Sequence, residues 1–241
     1  MFVQRYFVED KYFEGDFVTI ENNDFHHIKN VMRLHLEDVI VVCNYSGQTF
    51  KAKIIEILKD SIVLKILEEI IREDNTMNLS IAQALIRKDN FELVLQKVTE
   101  LGVSEFYPLE TIRSIIKIDN FAKKHERYKT IAKEASEQSE RTKPTVVNQL
   151  STIYDLPLGN YDYVLVAYAR EGNDHSLISQ IRRIAKTKKV LVLIGPEGGF
   201  DDKEIEFLKS KSKLVSLGKT ILRSETAAIF VASAFRYQWE A

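Results

Sequence analysis

The feature that most constrains the fold is a run of five apolar residues, 190–194, that ends in Gly-Pro-Glu-Gly-Gly at 195–199. An uninterrupted apolar run of this length is typical of a strand that is buried on both faces. The adjacent glycines carry no Cβ and let a backbone approach a ligand closely, and Pro196 restricts the turn that presents them. The sequence therefore predicts a binding loop at the carboxyl end of a buried strand.

The composition of this loop narrows the ligand that it would take. Phosphate-binding loops use a lysine, or three spaced glycines at a helix N-terminus, and residues 195–200 have neither. Glu197 would also repel a phosphate, so a cationic or neutral ligand fits better. An ordinary strand-to-helix turn remains equally open, with Asp201 as N-cap and Glu204 completing a capping box.

A second segment, residues 217–227, carries related chemistry. Its glycine permits close backbone approach, and Arg223 offers a planar fork of donors. Ser224 is a candidate N-cap of the last helix, with Glu225 in the first turn. Because ligands of parallel sheets bind beyond the carboxyl ends of the strands, we expect both loops to form one pocket. An ion pair of Arg223 with a structural carboxylate, Glu197 or Glu225, is also consistent with these residues.

Composition excludes several classes of protein. The chain has 241 residues, 45% hydrophobic and 29% charged, which suits a globular protein of one large or two modest domains. It lacks the roughly 20 consecutive apolar residues of a membrane span and the pattern of a secretion signal, so a cytoplasmic protein is expected. The single cysteine, Cys43, is interpreted as a buried hydrophobe. A net charge of -1 gives no global indication of nucleic-acid binding.

The pattern of the chain changes near residue 73. Before it, short apolar segments separated by turns predict a small β-barrel, with strands at 2–8, 17–20, 38–43, 48–58 and 61–69. After it, alternating strands and helices predict a parallel sheet covered on both faces. Those strands are expected at 79–86, 105–109, 163–167, 190–194 and 213–217, with later helices starting near Asp174, Asp201 and Ser224. We therefore expect domains at 1–72 and 73–241.

One helix is predicted inside the barrel domain, from about residue 24 to residue 34. Its apolar side would hold Phe25, Ile28, Val31 and Met32. The other side would hold His26, Lys29, Asn30 and Arg33. This polar stripe is a candidate RNA-contacting face, although periodicity alone favours an ordinary solvated surface.

Five motifs, in order along nearly the whole chain, resemble the bacterial 16S rRNA uridine N3-methyltransferases of the SPOUT superfamily. They are residues 27–33, 97–103, 134–141, 194–200 and 217–227. One position departs from the family pattern, because Asn90 stands where members usually have a second lysine. A phosphate contact is therefore missing at that position.

The resemblance implies a PUA-like RNA-binding barrel at 1–72 and an α/β methyltransferase domain with a trefoil knot at 73–241. It implies S-adenosyl-L-methionine as the cofactor, without a metal, and a homodimer formed through the C-terminal domain. The implied reaction methylates N3 of a uridine in the decoding region of 16S rRNA of the small ribosomal subunit. A sulfonium cation also suits a loop that has glycines and a carboxylate but no lysine.

The resemblance assigns roles to particular residues. The expected cofactor-binding residues are Ala167, Tyr168, Ile194, Gly195, Pro196, Glu197, Gly198, Gly199, Leu217, Gly218, Ile221, Leu222, Arg223, Thr226 and Ala227. Arg223 is expected to stabilise the negative charge that develops on the uracil ring. Glu197 or Glu225 would accept the N3 proton, or would orient Arg223 instead.

Candidate RNA contacts are distributed over both domains. They are His27, Lys29, Arg33, Arg87, Lys88, Arg113 and Arg141. Small residues on the last helix, from Ala227 to Ala232, suit either the domain core or a subunit contact. Two other functions remain open: a catalytically silent RNA-binding or ribosome-assembly factor, and a related enzyme that methylates a ribose 2′-oxygen or another base.

Overall fold

The computed structural model describes residues 4–71, 76–118, 120–168 and 176–240, which form two compact units. The first unit comprises Met1–Asn75 with Ser136–Pro144, and the second comprises Thr76–Ala135 with Thr145–Ala241. The expected boundary between residues 72 and 73 falls outside the described residues and stays a prediction. The segment Ser136–Pro144 joins the first unit through hydrogen bonds, since the Phe7 amide donates to Glu137 Oε1 at 2.8 Å.

The first unit is built on a six-stranded sheet. Its strands are β1 (Arg5–Phe7), β2 (Phe13–Glu14), β3 (Phe17–Glu21), β4 (Val39–Cys43), β5 (Thr49–Ile57) and β6 (Ser61–Glu69). They lie in the order β1-β4-β5-β6-β3-β2, with β1 parallel to β4 and the other neighbours antiparallel. Alternate residues such as Ile62 and Leu64 fill one core. Cys43 is fully buried, as predicted, and burial raises the pKa of its thiol.

The helix predicted in this unit is a short α1 (Asn22–His26) followed by a π-helical turn, His27–Val31. Within that turn the Met32 amide donates to the His27 carbonyl oxygen at 2.9 Å, a spacing of five residues. A π-turn advances each residue by a smaller angle than an α-helix, so the predicted apolar face is wrong in part. Ile28 is buried, whereas Val31 is 59% exposed and Met32 is 40% exposed.

The second unit is built on a seven-stranded sheet whose paired strands are all parallel. Its strands are β7 (Met77–Ala84), β8 (Val103–Glu110), β9 (Val146–Val147), β10 (Ser151–Thr152), β11 (Tyr163–Ala167), β12 (Val190–Ile194) and β13 (Lys213–Val215). The order is β10-β8-β7-β12-β11-β13, and β9 pairs with β8. The predicted apolar run at 190–194 is therefore a central strand.

Helices cover both faces of this sheet, as the sequence predicted. They are α2 (Lys88–Glu100), α3 (Phe121–Gln138), α4 (Leu177–Ile181), α5 (Asp202–Lys209) and α6 (Ser224–Glu240). On β12, Val192 points into a core shared with α2, α4 and α6, while Leu191 points into the core beneath α5. Asp174, the predicted start of one helix, lies outside the described residues, and that helix begins at Leu177. Within the described ranges, no helix has the length and apolar character needed to cross a bilayer.

Small residues on α6 face the core of the second unit. Ala228 and Ala232 are completely buried there, together with the larger Phe235. These residues therefore serve the domain core, one of the two alternatives that the sequence left open.

Candidate active site

A cavity of about 430 Å³ lies beyond the carboxyl ends of β11, β12 and β13. This volume is within the range of small-molecule sites. The two loops that the sequence singled out form its walls, which brings together 14 of the 15 expected cofactor residues. They are Ala167, Tyr168, Ile194, Gly195, Pro196, Glu197, Gly198, Gly199, Leu217, Gly218, Ile221, Leu222, Arg223 and Ala227. Thr226 is exposed on α6 and does not line the cavity.

Seven further residues line the cavity and were not assigned to the cofactor. They are Arg113, Phe200, Asp202, Ser216, Lys219, Thr220 and Ser224. All except Arg113 lie within or directly beside the two predicted loops, so a wider window around each loop would have found them. Arg113 comes from the loop after β8, and no local pattern connected it to the cavity.

Backbone geometry favours glycine at two positions of these loops. Gly199 has φ +68° and Gly218 has φ +130°, both in a region that L side chains rarely adopt. A Cβ at Gly195 would lie 3.2 Å from the Phe200 ring, so this part of the loop packs tightly against a buried aromatic side chain. The glycine loop is therefore closely packed at Gly195, against Phe200, and has an open backbone at Gly199.

The capping box that the sequence left open is present at the start of α5. The Lys203 amide donates to Asp201 Oδ1 at 3.2 Å, and the Asp201 amide donates to Glu204 Oε2 at 2.8 Å. The Lys203 N–H, followed by the Arg113 guanidinium, holds the pKa of Asp201 below its usual range. Glu204 is buried, and its other oxygen accepts from the Ile112 amide at 2.9 Å. The capping box and the binding loop are thus compatible.

Ser224 does not have the role that the sequence predicted. It is the first residue of α6, and the helical hydrogen bonds begin one residue earlier, where the Ala227 amide donates to the Arg223 carbonyl oxygen at 2.8 Å. The Ser224 hydroxyl instead donates to the Gly195 carbonyl oxygen at 2.6 Å. The N-cap prediction is therefore wrong, because this hydroxyl links the two cavity loops.

The three predicted catalytic residues are placed differently. Arg223 is exposed at the cavity wall, and its side chain makes no hydrogen bond or ion pair within the described part of the chain. The alternative of a structural ion pair with Glu197 or Glu225 is therefore not realised. Glu197 is exposed and lines the cavity, whereas Glu225 is half-buried outside it.

The cavity walls carry charges of both signs. Three cations line it, Arg113, Lys219 and Arg223, beside the two carboxylates of Glu197 and Asp202. A ligand with both a cationic and an anionic group is therefore matched better than a polyphosphate.

Most of the predicted RNA contacts are accessible. Lys29, Arg33, Arg87 and Lys88 are exposed, and Lys88 lies 3.9 Å from Glu92. His27 is half-buried and shares a 2.9 Å hydrogen bond with the Tyr6 hydroxyl. Arg113 lines the cavity instead of a separate RNA surface.

Arg141 requires a correction. Its side chain is 1% exposed, so the guanidinium cannot reach a phosphate in this conformation. Its carbonyl oxygen accepts a hydrogen bond from Arg5 Nη1 at 2.7 Å, within the first unit. The prediction of an RNA contact at Arg141 is wrong because the residue belongs to a buried polar cluster.

Comparison with known families agrees with this geometry. A model of the RNA methyltransferase domain matches residues 72–236, and a model of the RNA methyltransferase PUA domain matches residues 20–67. A relative in Bacillus subtilis, named ribosomal RNA small subunit methyltransferase E, is 33% identical over 99% of this chain and 98% of its own length. The chain belongs to this RNA methyltransferase family. The family assignment made from the motifs is confirmed.

Further relatives of this methyltransferase agree. The enzyme of the same name from Rickettsia conorii is 32% identical over 88% of this chain and 85% of its own length. A Legionella pneumophila methyltransferase solved with its cofactor SAM is 27% identical, has a TM-score of 0.85, and covers 98% of each chain. The predicted fold class, a PUA-like unit followed by an α/β methyltransferase unit, is confirmed.

Proposed function

We propose that this RNA methyltransferase binds S-adenosyl-L-methionine in the cavity and methylates N3 of a uridine in the decoding region of 16S rRNA. The observation that carries the proposal is the position of Arg223, an exposed cation without a protein partner in the described residues, at the wall of a glycine-lined cavity. The structural alternative required an ion pair of Arg223 with Glu197 or Glu225, and the described residues form no such pair. Arg223 is therefore available to the substrate.

The backbone and the charges of the cavity wall fit this cofactor. The backbone around Gly199 and Gly218 is open: apart from each glycine and its chain neighbours, no atom of the described residues lies within 4 Å of where a Cβ would stand. Glu197 and Asp202 provide negative charge for cationic groups, and the nearby arginines provide donors for a carboxylate. Ala167, Tyr168 and the loop backbones would hold the adenine and ribose. When bound, the cofactor supplies a methyl group activated by a sulfonium centre.

The reacting nitrogen sets what the protein residues must do. N3 of uridine is normally paired, so the base must be unpaired or flipped out of a helix to be reached. Its proton must leave, and the negative charge that spreads over O2 and O4 must be stabilised. We assign to Arg223 the stabilisation of the negative charge on O2 and O4. Glu197 is better placed than Glu225 to accept the proton, because only Glu197 lines the cavity.

Binding of rRNA is assigned to both units. Lys29 and Arg33 are exposed on the first unit, and Arg87 and Lys88 are exposed at the start of α2. Phosphate contacts from such side chains position the RNA without reading its sequence. An rRNA substrate would place the enzyme in the cytoplasm.

A homodimer through the C-terminal domain, and a trefoil knot within it, remain part of this proposal. Exposed apolar side chains on α2 and α6, Leu93, Phe230 and Tyr237, offer surface for a second copy of the chain. Burial of such a patch would stabilise an isologous contact.

Calorimetric titration with S-adenosyl-L-methionine tests the cofactor assignment. We expect one binding event per chain, unchanged in an Arg33→Ala variant whose substitution lies outside the cavity. No binding at millimolar cofactor would contradict the enzyme assignment and favour a silent RNA-binding factor on the same scaffold.

A further inference from the structure

A buried glutamine lies beneath the cavity without lining it. Gln83 is near the carboxyl end of β7 and pairs in register with Ile194 of β12, the residue directly before the glycine loop. Its side chain is completely buried. Gln83 therefore lies next to the carboxyl end of β12, the strand that leads into the glycine loop of the cavity.

The hydrogen bonds around Gln83 have a defined direction. Its Nε2 lies 3.0 Å from the Ala84 carbonyl oxygen and 2.8 Å from Ser224 Oγ. A carbonyl oxygen only accepts, so the amide nitrogen and not the amide oxygen must face Ala84. Nε2 consequently donates to Ser224 as well.

This direction fixes the proton of the Ser224 hydroxyl. Since Ser224 Oγ accepts from Gln83, its own hydrogen is directed to the Gly195 carbonyl oxygen, 2.6 Å away. The chain of donors runs from Gln83 through Ser224 to Gly195. It joins β7 to the first residue of α6 and to the loop after β12.

We propose that Gln83 is a positioning residue, which sets the spacing of the two cavity loops through the Ser224 hydroxyl. The inference rests on the proposed function in one respect, that this cavity holds S-adenosyl-L-methionine. Gln83 does not line the cavity, so it would not touch the cofactor or the uridine. It acts on the Gly195 carbonyl and on the segment that carries Arg223.

Stability alone does not explain a glutamine at this position. The Oε1 atom of Gln83 is buried and has no hydrogen-bond partner among the described residues. Desolvating an unpaired carbonyl opposes folding, whereas leucine would fill similar space without leaving an acceptor unpaired. What leucine cannot supply is the donor that orients Ser224.

The link also accounts for the geometry of both loops. Gly195 follows β12 and Ser224 begins α6, 29 residues later in the chain, so their distance is set by a long-range contact and not by local hydrogen bonding. A free serine hydroxyl could rotate toward other acceptors, and the Gly195 carbonyl would then lose a fixed partner. Because Gln83 donates to Ser224 Oγ, the Ser224 hydroxyl hydrogen points to the Gly195 carbonyl oxygen.

A double-mutant cycle tests the inference, with Gln83→Leu, Ser224→Ala and the pair of substitutions. The cofactor dissociation constant is measured by calorimetry at a temperature well below the melting temperature Tm of every variant. We expect each single variant to bind about tenfold more weakly, the scale of one lost buried hydrogen bond. The double variant should bind no more weakly than the weaker single variant, because both remove the same link.

Gln180→Leu is the matched control. Gln180 is also a buried glutamine of the second unit, but it lies on α4 and does not line the cavity. We expect it to change Tm without changing cofactor affinity. A purely structural Gln83 would behave in the same way, so the split between Tm and affinity distinguishes the two roles.

Three results would overturn the inference: wild-type affinity in Gln83→Leu, wild-type affinity in Ser224→Ala, or additive losses in the double variant. Ser224→Ala removes only a hydroxyl, so wild-type affinity in that variant overturns the inference even if Gln83→Leu does not fold. Failure of the proposed function is distinguishable, because in that case the wild-type protein itself would not bind the cofactor.

Discussion

Arg113 and Asp201 lie 3.1 Å apart, measured from guanidinium nitrogen to carboxylate oxygen, and Arg113 also donates to the Gly198 carbonyl oxygen at 3.3 Å. The arginine follows β8, whereas Asp201 caps α5 directly after the glycine loop. One side chain therefore ties two neighbouring loops together at the cavity wall. This contact gives Arg113 a role in shaping the cavity that its sequence position did not indicate.

Replacing Arg113 by alanine should weaken cofactor binding several-fold while the free energy of unfolding changes by less than about 1 kcal/mol. The ion pair is partly exposed, and such pairs contribute little to stability. The loop, however, would lose two of its contacts. Calorimetry and thermal melting measure the two effects.

Lys117→Ala is the control for Arg113→Ala. Lys117 also forms an exposed ion pair after β8, at 2.9 Å from Glu110, but it does not line the cavity. Equal cofactor affinities for the two variants would show that Arg113 does not position the loop.

Arg223→Ala should lower the rate of methyl transfer by about 100-fold or more, the scale of losing one group that stabilises developing negative charge. Tm should stay the same because the Arg223 side chain has no partner in the described residues. Cofactor affinity should change by a few-fold at most. Single-turnover methylation of rRNA, combined with calorimetry, measures both quantities.

Arg223→Lys refines that measurement, since lysine keeps the charge but loses the planar fork. We expect an intermediate rate. A rate near wild type in Arg223→Ala would remove Arg223 from the catalytic step.

Gly218→Ala should reduce both Tm and cofactor affinity. Its φ of +130° is strained for any residue with a Cβ, at a cost of about 1–3 kcal/mol, so the loop would relax away from its present shape. Gly159→Ala is the matched control, because Gly159 has an ordinary φ and open space around it. If both variants bound the cofactor equally well, the shape of this loop would not matter for binding.

Arg33→Ala should weaken rRNA binding and make the slope of log affinity against log salt shallower by about one, as expected for one lost phosphate contact. Cofactor affinity should not change. Lys59→Ala provides the comparison, since Lys59 is an exposed cation of the same unit in the turn before β6. If the salt slopes of the two variants were identical, the polar stripe that contains Arg33 would be an ordinary solvated surface and not an RNA contact.

The parts of the fold that were predictable depend on local signals. Strand β12 has the predicted bounds because five consecutive apolar residues stand between a lysine and a glycine. The capping box at Asp201 and Glu204 is a pattern of four residues and was identified correctly. The convergence of the two loops followed from the rule that parallel strands present their carboxyl ends at one edge.

Other features depend on contacts between residues far apart in the chain. Gln83 and Ser224 are separated by 141 residues, and nothing within strand β7 indicates that its glutamine has a partner on α6. Arg141 was expected to contact RNA, yet it is buried and its carbonyl oxygen accepts from Arg5, 136 residues away. The π-turn at His27–Val31 has no simple periodicity signal, so an α-helical face was expected there.

The most direct test of the central claim is mass spectrometry of nucleosides from 16S rRNA. Cells that lack this protein are complemented with the wild-type chain or with Arg223→Ala, and the modified nucleosides of each rRNA are compared. We predict that one N3-methyluridine is absent without the protein, returns with the wild-type chain, and does not return with Arg223→Ala. Unchanged N3-methyluridine in all strains, or loss of a different methylated nucleoside, would contradict the proposed reaction.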